Sequence, residues 1–333
     1  MSAKVGKFRI QGFLSKYSIF VILVVAFVLS SLLNKNFLTA ANLSNILKQN
    51  SVVAILAFGE TMLIIAGLID LANGAVLALA GVLSVAVYKA TGSLALAVSV
   101  GFFIGILMNM VSGTLTSVFN TPPFIATLAV MTMARGMALL YTAGQSIYQI
   151  GDFVVLGQGS LLFIPLPIVF MGLILFATWY ILKNTRLGRS LYAIGGNEEA
   201  ANASGIQVAK TKFSVYLING VFVGLAGILF MSRNNAGLPA AAQGYEFEAL
   251  TAAVIGGTSF SGGIGTAMGT LAGAFIVGIL NNIMNLLGVN SYVQQIIKGL
   301  IIALAVIMDI RAKNNRAKPK VLAADIEKKA LGA

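Results

Sequence analysis

Apolar residues along this chain gather in long continuous runs separated by short polar intervals. They do not alternate as in a half-buried strand, nor recur at the three-to-four spacing of a surface helix. The runs cover 17–33, 51–69, 71–87, 94–119, 122–141, 161–182, 213–231, 267–287 and 293–308, with one shorter stretch at 249–255. A helix needs about 20 apolar residues to cross a bilayer core, so the pattern predicts an all-α polytopic membrane protein of about ten transmembrane helices, with 249–255 too short to cross. A transmembrane barrel would show alternation instead. The first run follows Lys4, Lys7, Arg9 and Lys16. It is long and no small-residue cleavage site follows it, which reads as an uncleaved span rather than a signal peptide. The expected organisation is a transmembrane domain over 1–312, containing a polar loop at 183–212, and a basic tail at 313–333.

Composition strengthens this reading. Of the 333 residues 58% are hydrophobic and 10% charged, against about 25% charged in soluble domains. The net charge of +12 would suggest nucleic acid in a soluble protein. With the N-terminus inside, however, sixteen basic and five acidic residues fall on the cytoplasmic side, in the N-terminal segment, the 183–212 loop and the tail. The excess is then a positive-inside signature with both termini cytoplasmic, and the tail is an anchor that also attracts anionic lipid headgroups. Nucleic acid is not needed to explain it. The chain has no Cys and no His, which removes disulfides, thiolate chemistry, Cys/His metal sites and histidine bases. No catalytic constellation, metal or cofactor is expected.

Thirty-six glycines in such a chain need a physical reason. Lipid supplies no hydrophobic force between helices, so small residues that allow close backbone approach carry the packing. Gly265, Gly269 and Gly273, Gly220 and Gly224, and Gly101 and Gly105 are spaced for such seams. Two glycine-dense stretches differ: Gly-Leu-Ile-Asp-Leu-Ala-Asn-Gly at 67–74, and Gly-Gly-Thr-Ser-Phe-Ser-Gly-Gly-Ile-Gly at 256–265. Each is either a break lining a translocation path or a tight surface turn. The second lacks the Gly-Lys-Ser/Thr ending of a phosphate loop and is not read as nucleotide-binding. Ionisable residues at membrane depth are Glu60, Asp70, Arg135 and Lys298. Such residues are functional candidates by default. Glu60 and Arg135 are read first as a buried pair or helix contact, Asp70 as a span-end residue, and Lys298 as close enough to the outer end to snorkel. With Asn73 and Phe124 they form the candidate path residues.

Within 183–212, Asn197 is a good N-cap, Glu198 and Glu199 suit the positive end of a helix dipole, and Gly205 suits the left-handed C′ position. This predicts a helix of about two turns, read either as a capped linker or as a grip for a partner.

Several blocks together resemble the permease subunits of bacterial ABC importers for monosaccharides, the ribose-type group. They are Asn-Phe-Leu-Thr-Ala-Ala-Asn-Leu at 36–43, the 67–74 break, Pro-Pro-Phe-Ile-Ala-Thr-Leu at 122–128 and the stretch from Arg186 to Ile206. Gly-Tyr-Glu-Phe-Glu-Ala-Leu at 244–250, the 256–263 stretch and Leu-Asn-Asn-Ile-Met-Asn-Leu-Leu-Gly at 280–288 complete the set. The resemblance implies a homodimer in the bacterial inner membrane, separate ABC ATPase subunits, and a periplasmic or lipid-anchored sugar-binding protein delivering a monosaccharide. Gly196, Asn197, Glu198, Glu199, Ala200, Ala201, Asn202, Ser204 and Gly205 would form the coupling helix seated on the ATPase, where ATP hydrolysis would reside. Glu246 and Glu248 would face the binding protein. Similar permeases read Asp-Leu-Ser-Val-Gly at the first break, whereas this chain has Asp70-Leu-Ala-Asn73-Gly74, a departure that counts against ribose itself. The alternative is a secondary transporter driven by an ion gradient through Glu60 and Asp70.

Overall fold

The computed structural model describes residues 2–307 together with Asp309 and Arg311, and side-chain surroundings from Ser18 onward; the basic tail expected at 313–333 lies outside the described residues. The elements are helices α1 (Ser2–Leu33), α2 (Ala40–Ile65), α3 (Asn73–Thr91), α4 (Leu94–Ser117), α5 (Pro123–Thr142), α6 (Val155–Gln158), α7 (Leu166–Asn184), α8 (Arg186–Gly196), α9 (Glu198–Ala203), α10 (Val208–Asn234), α11 (Tyr245–Ile255) and α12 (Ala267–Leu286). A last apolar helix, α13, runs Ser291–Ile307. Two short antiparallel pairs complete the list, β1 (Ile147–Tyr148) with β4 (Ala236–Gly237), and β2 (Ser160–Leu161) with β3 (Ile164–Pro165).

Helices α3, α4, α5, α7, α10 and α12 are each long and apolar enough to cross a membrane, and the chain is a polytopic membrane protein. Its outer surface agrees: Leu32, Phe103, Leu140, Leu173 and Phe176 are all more than half exposed, a surface that water would not tolerate over so wide an area. Exposed aromatics mark both rims, with Tyr141, Tyr148 and Tyr292 toward one end and Trp179 and Tyr180 toward the other, as in interfacial belts.

The centre of the bundle is α2. From Asn50 to Ile65 every residue is buried, the condition of a helix apolar on all sides and enclosed by others. Helices α7, α10, α11 and α12 surround it. Helix α2 starts eleven residues before the apolar run, because Thr39 caps it by accepting from the Asn42 amide and its first turns carry Asn42, Lys48 and Asn50, which hydropathy alone leaves out. Helices α4 and α10 meet along the anticipated glycine seam. A Cβ on Gly220 would stand 2.6 Å from the Gly105 carbonyl oxygen, and one on Gly224 would stand 2.6 Å from that of Gly101. The stripe of Gly265, Gly269 and Gly273 is likewise covered, the last two by the backbone of α11.

The loops define two ends. At one, β1 pairs with β4, and Lys89 Nζ donates to the Tyr148 carbonyl at 3.0 Å. At the other, the 256–265 segment meets the end of α2, α8 and the end of α13. Gly263 N donates to Ile65 O at 2.9 Å, Tyr192 Oη to Gly265 O at 2.7 Å, and Phe260 N to Asp309 Oδ2 at 2.9 Å. Helix α8 was not anticipated inside the 183–212 loop. Thr185 caps it through the Gly188 amide, and Leu191 and Ile194 bury one face, so a short amphipathic stretch too polar to span becomes a surface helix.

Substituting Gly220→Leu places a branched side chain against backbone that cannot yield. Overpacking of this kind costs about 1–3 kcal/mol, so the melting temperature in detergent should fall by roughly 1–4 °C. Gly136→Ala, with no atom within 4 Å of the added methyl, should leave it unchanged. Equal curves for the two variants would show that the seam does not carry the packing.

Candidate functional site

The first break, 66–72, is non-helical backbone deep within the bundle, where its polar groups must find partners inside the protein. Glu60 on α2 and Asp70 in the break provide them. Asp70 N donates to Glu60 Oε1 at 3.1 Å, and Ala72 N donates to Asp70 Oδ1 at 2.8 Å. Tyr216 Oη on α10 donates to the Ile69 carbonyl at 3.1 Å. Asn73, in the first turn of α3, donates to Glu60 Oε2 at 2.9 Å.

The amide nitrogen of Asn219 on α10 sits within reach of three acceptors: Asp70 Oδ2 at 2.9 Å, Asn73 Oδ1 at 3.0 Å and Asn109 Oδ1 at 2.9 Å. Gly59 leaves room for it, since a Cβ there would stand 3.1 Å from Asn219 Cγ. Glu60, Asp70, Asn73 and Asn219 are 0% exposed and Asn109 1%. The cluster therefore ties α2, α3, α4 and α10 together in a sealed network, with no opening through which a solute could touch it. Sequence reading found Glu60, Asp70 and Asn73 but missed Asn109, Asn219 and Tyr216. The available signal was an isolated amide within an otherwise apolar run, as at Met108-Asn109-Met110.

The other candidate residues lie elsewhere. Arg135 is not paired with Glu60: its Nη1 donates to the carbonyls of Pro239 and Ala241 at 2.8 and 2.7 Å, which fixes the loop ahead of α11. Phe124 is half exposed on the first turn of α5. Glu246 is only 7% exposed and accepts from Gly244 N at 3.1 Å, at the start of its own helix. Glu248 accepts from Lys298 at 2.6 Å. Lys298 is held by this ion pair, with its side chain still 34% exposed. Glu246 is buried and Glu248 is ion-paired, so neither stands as a free carboxylate on the surface.

Helix α9 occupies the stretch anticipated from its caps. Asn197 Oδ1 accepts from Ala200 N at 2.8 Å, Glu198 and Glu199 fill the first turn, and Gly205 has φ +84. Gly196, Asn202 and Ser204 are exposed with Asn197, Glu198, Glu199 and Ala200, while Ala201 alone is buried. Lys212 Nζ binds Glu198 at 2.7 Å. Helix α9 thus stands proud of the bundle, held by one methyl contact and one surface ion pair. Beneath it, Gly195 of α8 lies against Gly263, where a Cβ would come within 2.5 Å of the Gly263 nitrogen.

The fold is a polytopic helical bundle with a polar latch at its centre, a broken helix and a capped helix projecting at one end. Residues 42–306 match the family described as "branched-chain amino acid transport system / permease component", and the chain belongs to that family. It is similar to the ribose import permease protein of Haemophilus influenzae, at 41% identity over 93% of this chain and 97% of that protein. The ribose import permease protein of Bacillus subtilis is also 41% identical, over 91% of this chain and 95% of that protein. The D-allose transport system permease protein of Escherichia coli is 36% identical over 91% of this chain and 94% of that protein. No solved structure matches the chain.

Replacing Asn219 by Leu would leave three buried acceptors without their donor. Opening a buried polar network of this kind costs about 2–4 kcal/mol, which a denaturant titration of the purified protein should register. Phe124→Ala, exposed and outside the network, should cost much less. A loss below about 1 kcal/mol for Asn219→Leu would rule out the latch as a structural element.

Proposed function

We propose that this chain is the membrane subunit of an ATP-driven monosaccharide importer in the bacterial inner membrane, working as a homodimer above a separate ATPase pair. The observation that carries the reading is its near full-length identity to permeases for ribose and allose. The family description names branched-chain amino acids, but these relatives match over nine-tenths of the chain, so a pentose or hexose is the favoured cargo. The amide at Asn73, which counted against ribose in the sequence, is spent inside the sealed latch on Glu60 and Asn219. That location removes its weight as a specificity argument.

The orientation follows from charge. The end bearing α8 and α9 carries Lys183, Arg186, Arg189, Lys210, Lys212 and Arg311, which favours the cytoplasm. Both termini are then cytoplasmic. Nine full crossings and the 11-residue half-crossing of α11 make ten membrane segments in all. Helix α9 is the coupling element, with Glu198 and Glu199 offered to a basic groove of the ATPase. Ion coupling through Glu60 and Asp70 is disfavoured, because two carboxylates at 0% exposure committed to backbone amides have no route for exchange with a bulk ion.

Two experiments test this. Uptake of labelled D-ribose by cells carrying the full transporter should persist when an uncoupler collapses the ion gradient while ATP stays high; loss of uptake under those conditions would sink the ATP-driven reading. Exchanging both Glu198 and Glu199 for Arg should reduce recovery of the ATPase in a pull-down at least tenfold. The fold should survive, since an exposed ion pair such as Glu198–Lys212 contributes only about 0–1 kcal/mol. Undiminished recovery would remove α9 from the contact.

A further inference from the structure

Between α11, α12 and α13 the bundle holds a cavity of about 570 Å³, within the range of small-molecule sites, roughly 300–1,000 Å³. Its walls are mixed in an unusual way for a membrane protein. Phe247 and Glu248 come from α11, Asn281 from α12, Gln295 and Lys298 from α13, and Gln243 from the loop leading into α11.

The polar groups in this cavity are not used up. Glu248 Oε1 accepts from Lys298 Nζ at 2.6 Å; Glu248 Oε2 and the remaining Nζ hydrogens have no protein partner among the described residues. The side-chain amides of Gln243, Asn281 and Gln295 likewise make no hydrogen bond among the described residues, although Asn281 is only 9% exposed. The contrast with the central latch is direct. There every carboxylate oxygen is spent on a protein donor, and solvent is sealed out. Here an ion pair and three amides keep their donors and acceptors turned to open space. Polar side chains in that position face water or a polar solute, since lipid tails would leave each of them unsatisfied.

The chemistry suits one kind of solute. Each hydroxyl of a sugar both donates and accepts. A pair of neighbouring hydroxyls can therefore bridge a carboxylate oxygen and an ammonium hydrogen, while others meet carboxamides, which also do both. The C–H face of a sugar ring is apolar, and Phe247, 46% exposed, offers a flat apolar partner beside these groups. We propose, on the reading that this chain carries a monosaccharide, that this cavity is where the passing sugar is touched. In this assignment the Glu248–Lys298 pair and Asn281 contact hydroxyls, and Phe247 contacts the ring. The charged pair is neutral overall, which suits an uncharged polyol better than an amino acid.

The chain contains no cysteine, so a single introduced thiol reports without background. Asn281→Cys and, independently, Gln295→Cys should each be modified by a water-soluble methanethiosulfonate in proteoliposomes holding the complete importer. Saturating D-ribose presented with the binding protein during turnover should slow both reactions at least threefold, and the attached group should cut uptake at least fivefold. Leu173→Cys, on the lipid-facing side of α7 and 59% exposed, should show neither effect. Two working reporters guard against one variant failing to insert. The site is overturned if neither thiol reacts, if sugar leaves the rates unchanged, or if modification leaves uptake intact. Absence of uptake of D-ribose, D-allose and L-arabinose by the cysteine-free parent overturns the importer reading and this site with it, a result distinguished by the parent alone.

Discussion

Backbone at membrane depth has no water to bond, and that constraint organises this molecule. The chain breaks its second helix after Ile65 and restarts at Asn73. The exposed amides of that break are met by Glu60 and Asp70, and its Ile69 carbonyl by Tyr216. The satisfaction is reciprocal. Two carboxylates could not be buried at 0% exposure without donors, and the amides of the break are those donors, with the side chains of Asn73 and Asn219. Asn219 reaches Asp70 and Asn109 because α10 and α4 touch through Gly101, Gly105, Gly220 and Gly224. The glycine seam and the polar latch are thus one device: close backbone approach sets the distance, and hydrogen bonds set the register.

The second break, at 256–265, meets the same constraint by other means. Its groups are answered by the Ile65 carbonyl, the Asp309 carboxylate and the Tyr192 hydroxyl, so it joins α2, α8 and α13 at one end of the bundle. Its contact with α8 combines backbone on backbone, Gly195 against Gly263, with the Tyr192 side chain. Under the importer reading, a push on α9 passes through α8 into this segment and on to α11 and α12, the walls of the polar cavity.

Much of this was legible in the residues. Continuous apolar runs located the crossings, because burial in lipid is close to additive over about 20 positions. Glycine spacing marked the seams, because the side-chain period of a helix is local and fixed. The caps of α9, from Asn197 to Gly205, were readable for the same reason. The multi-block resemblance placed the chain in its family on motifs spread from Asn36 to Gly288. What eluded the sequence was who pairs with whom. Glu60 and Arg135 read as a buried pair or as hydrogen-bonded helix contacts, and Arg135 binds the Pro239 and Ala241 carbonyls rather than Glu60. Lys298 was expected to reach for the interface, and it is held by Glu248. Helix α8 was hidden by its polarity.

The sequence by itself determined which segments enter the membrane, where the chain must break, and which faces can pack closely, since each depends on residues near one another along the chain. Only the tertiary structure decided that Glu60, Asp70 and Asn73 are enclosed rather than offered to a solute. It alone turned Glu246 inward, and it alone joined Glu248, Asn281 and Lys298 around one cavity. The reason is physical. Hydropathy and helix geometry are summed locally, whereas a buried polar group takes its role from the nearest complementary atom, and for the buried Thr61–Thr270 pair the two atoms lie 209 residues apart in the chain.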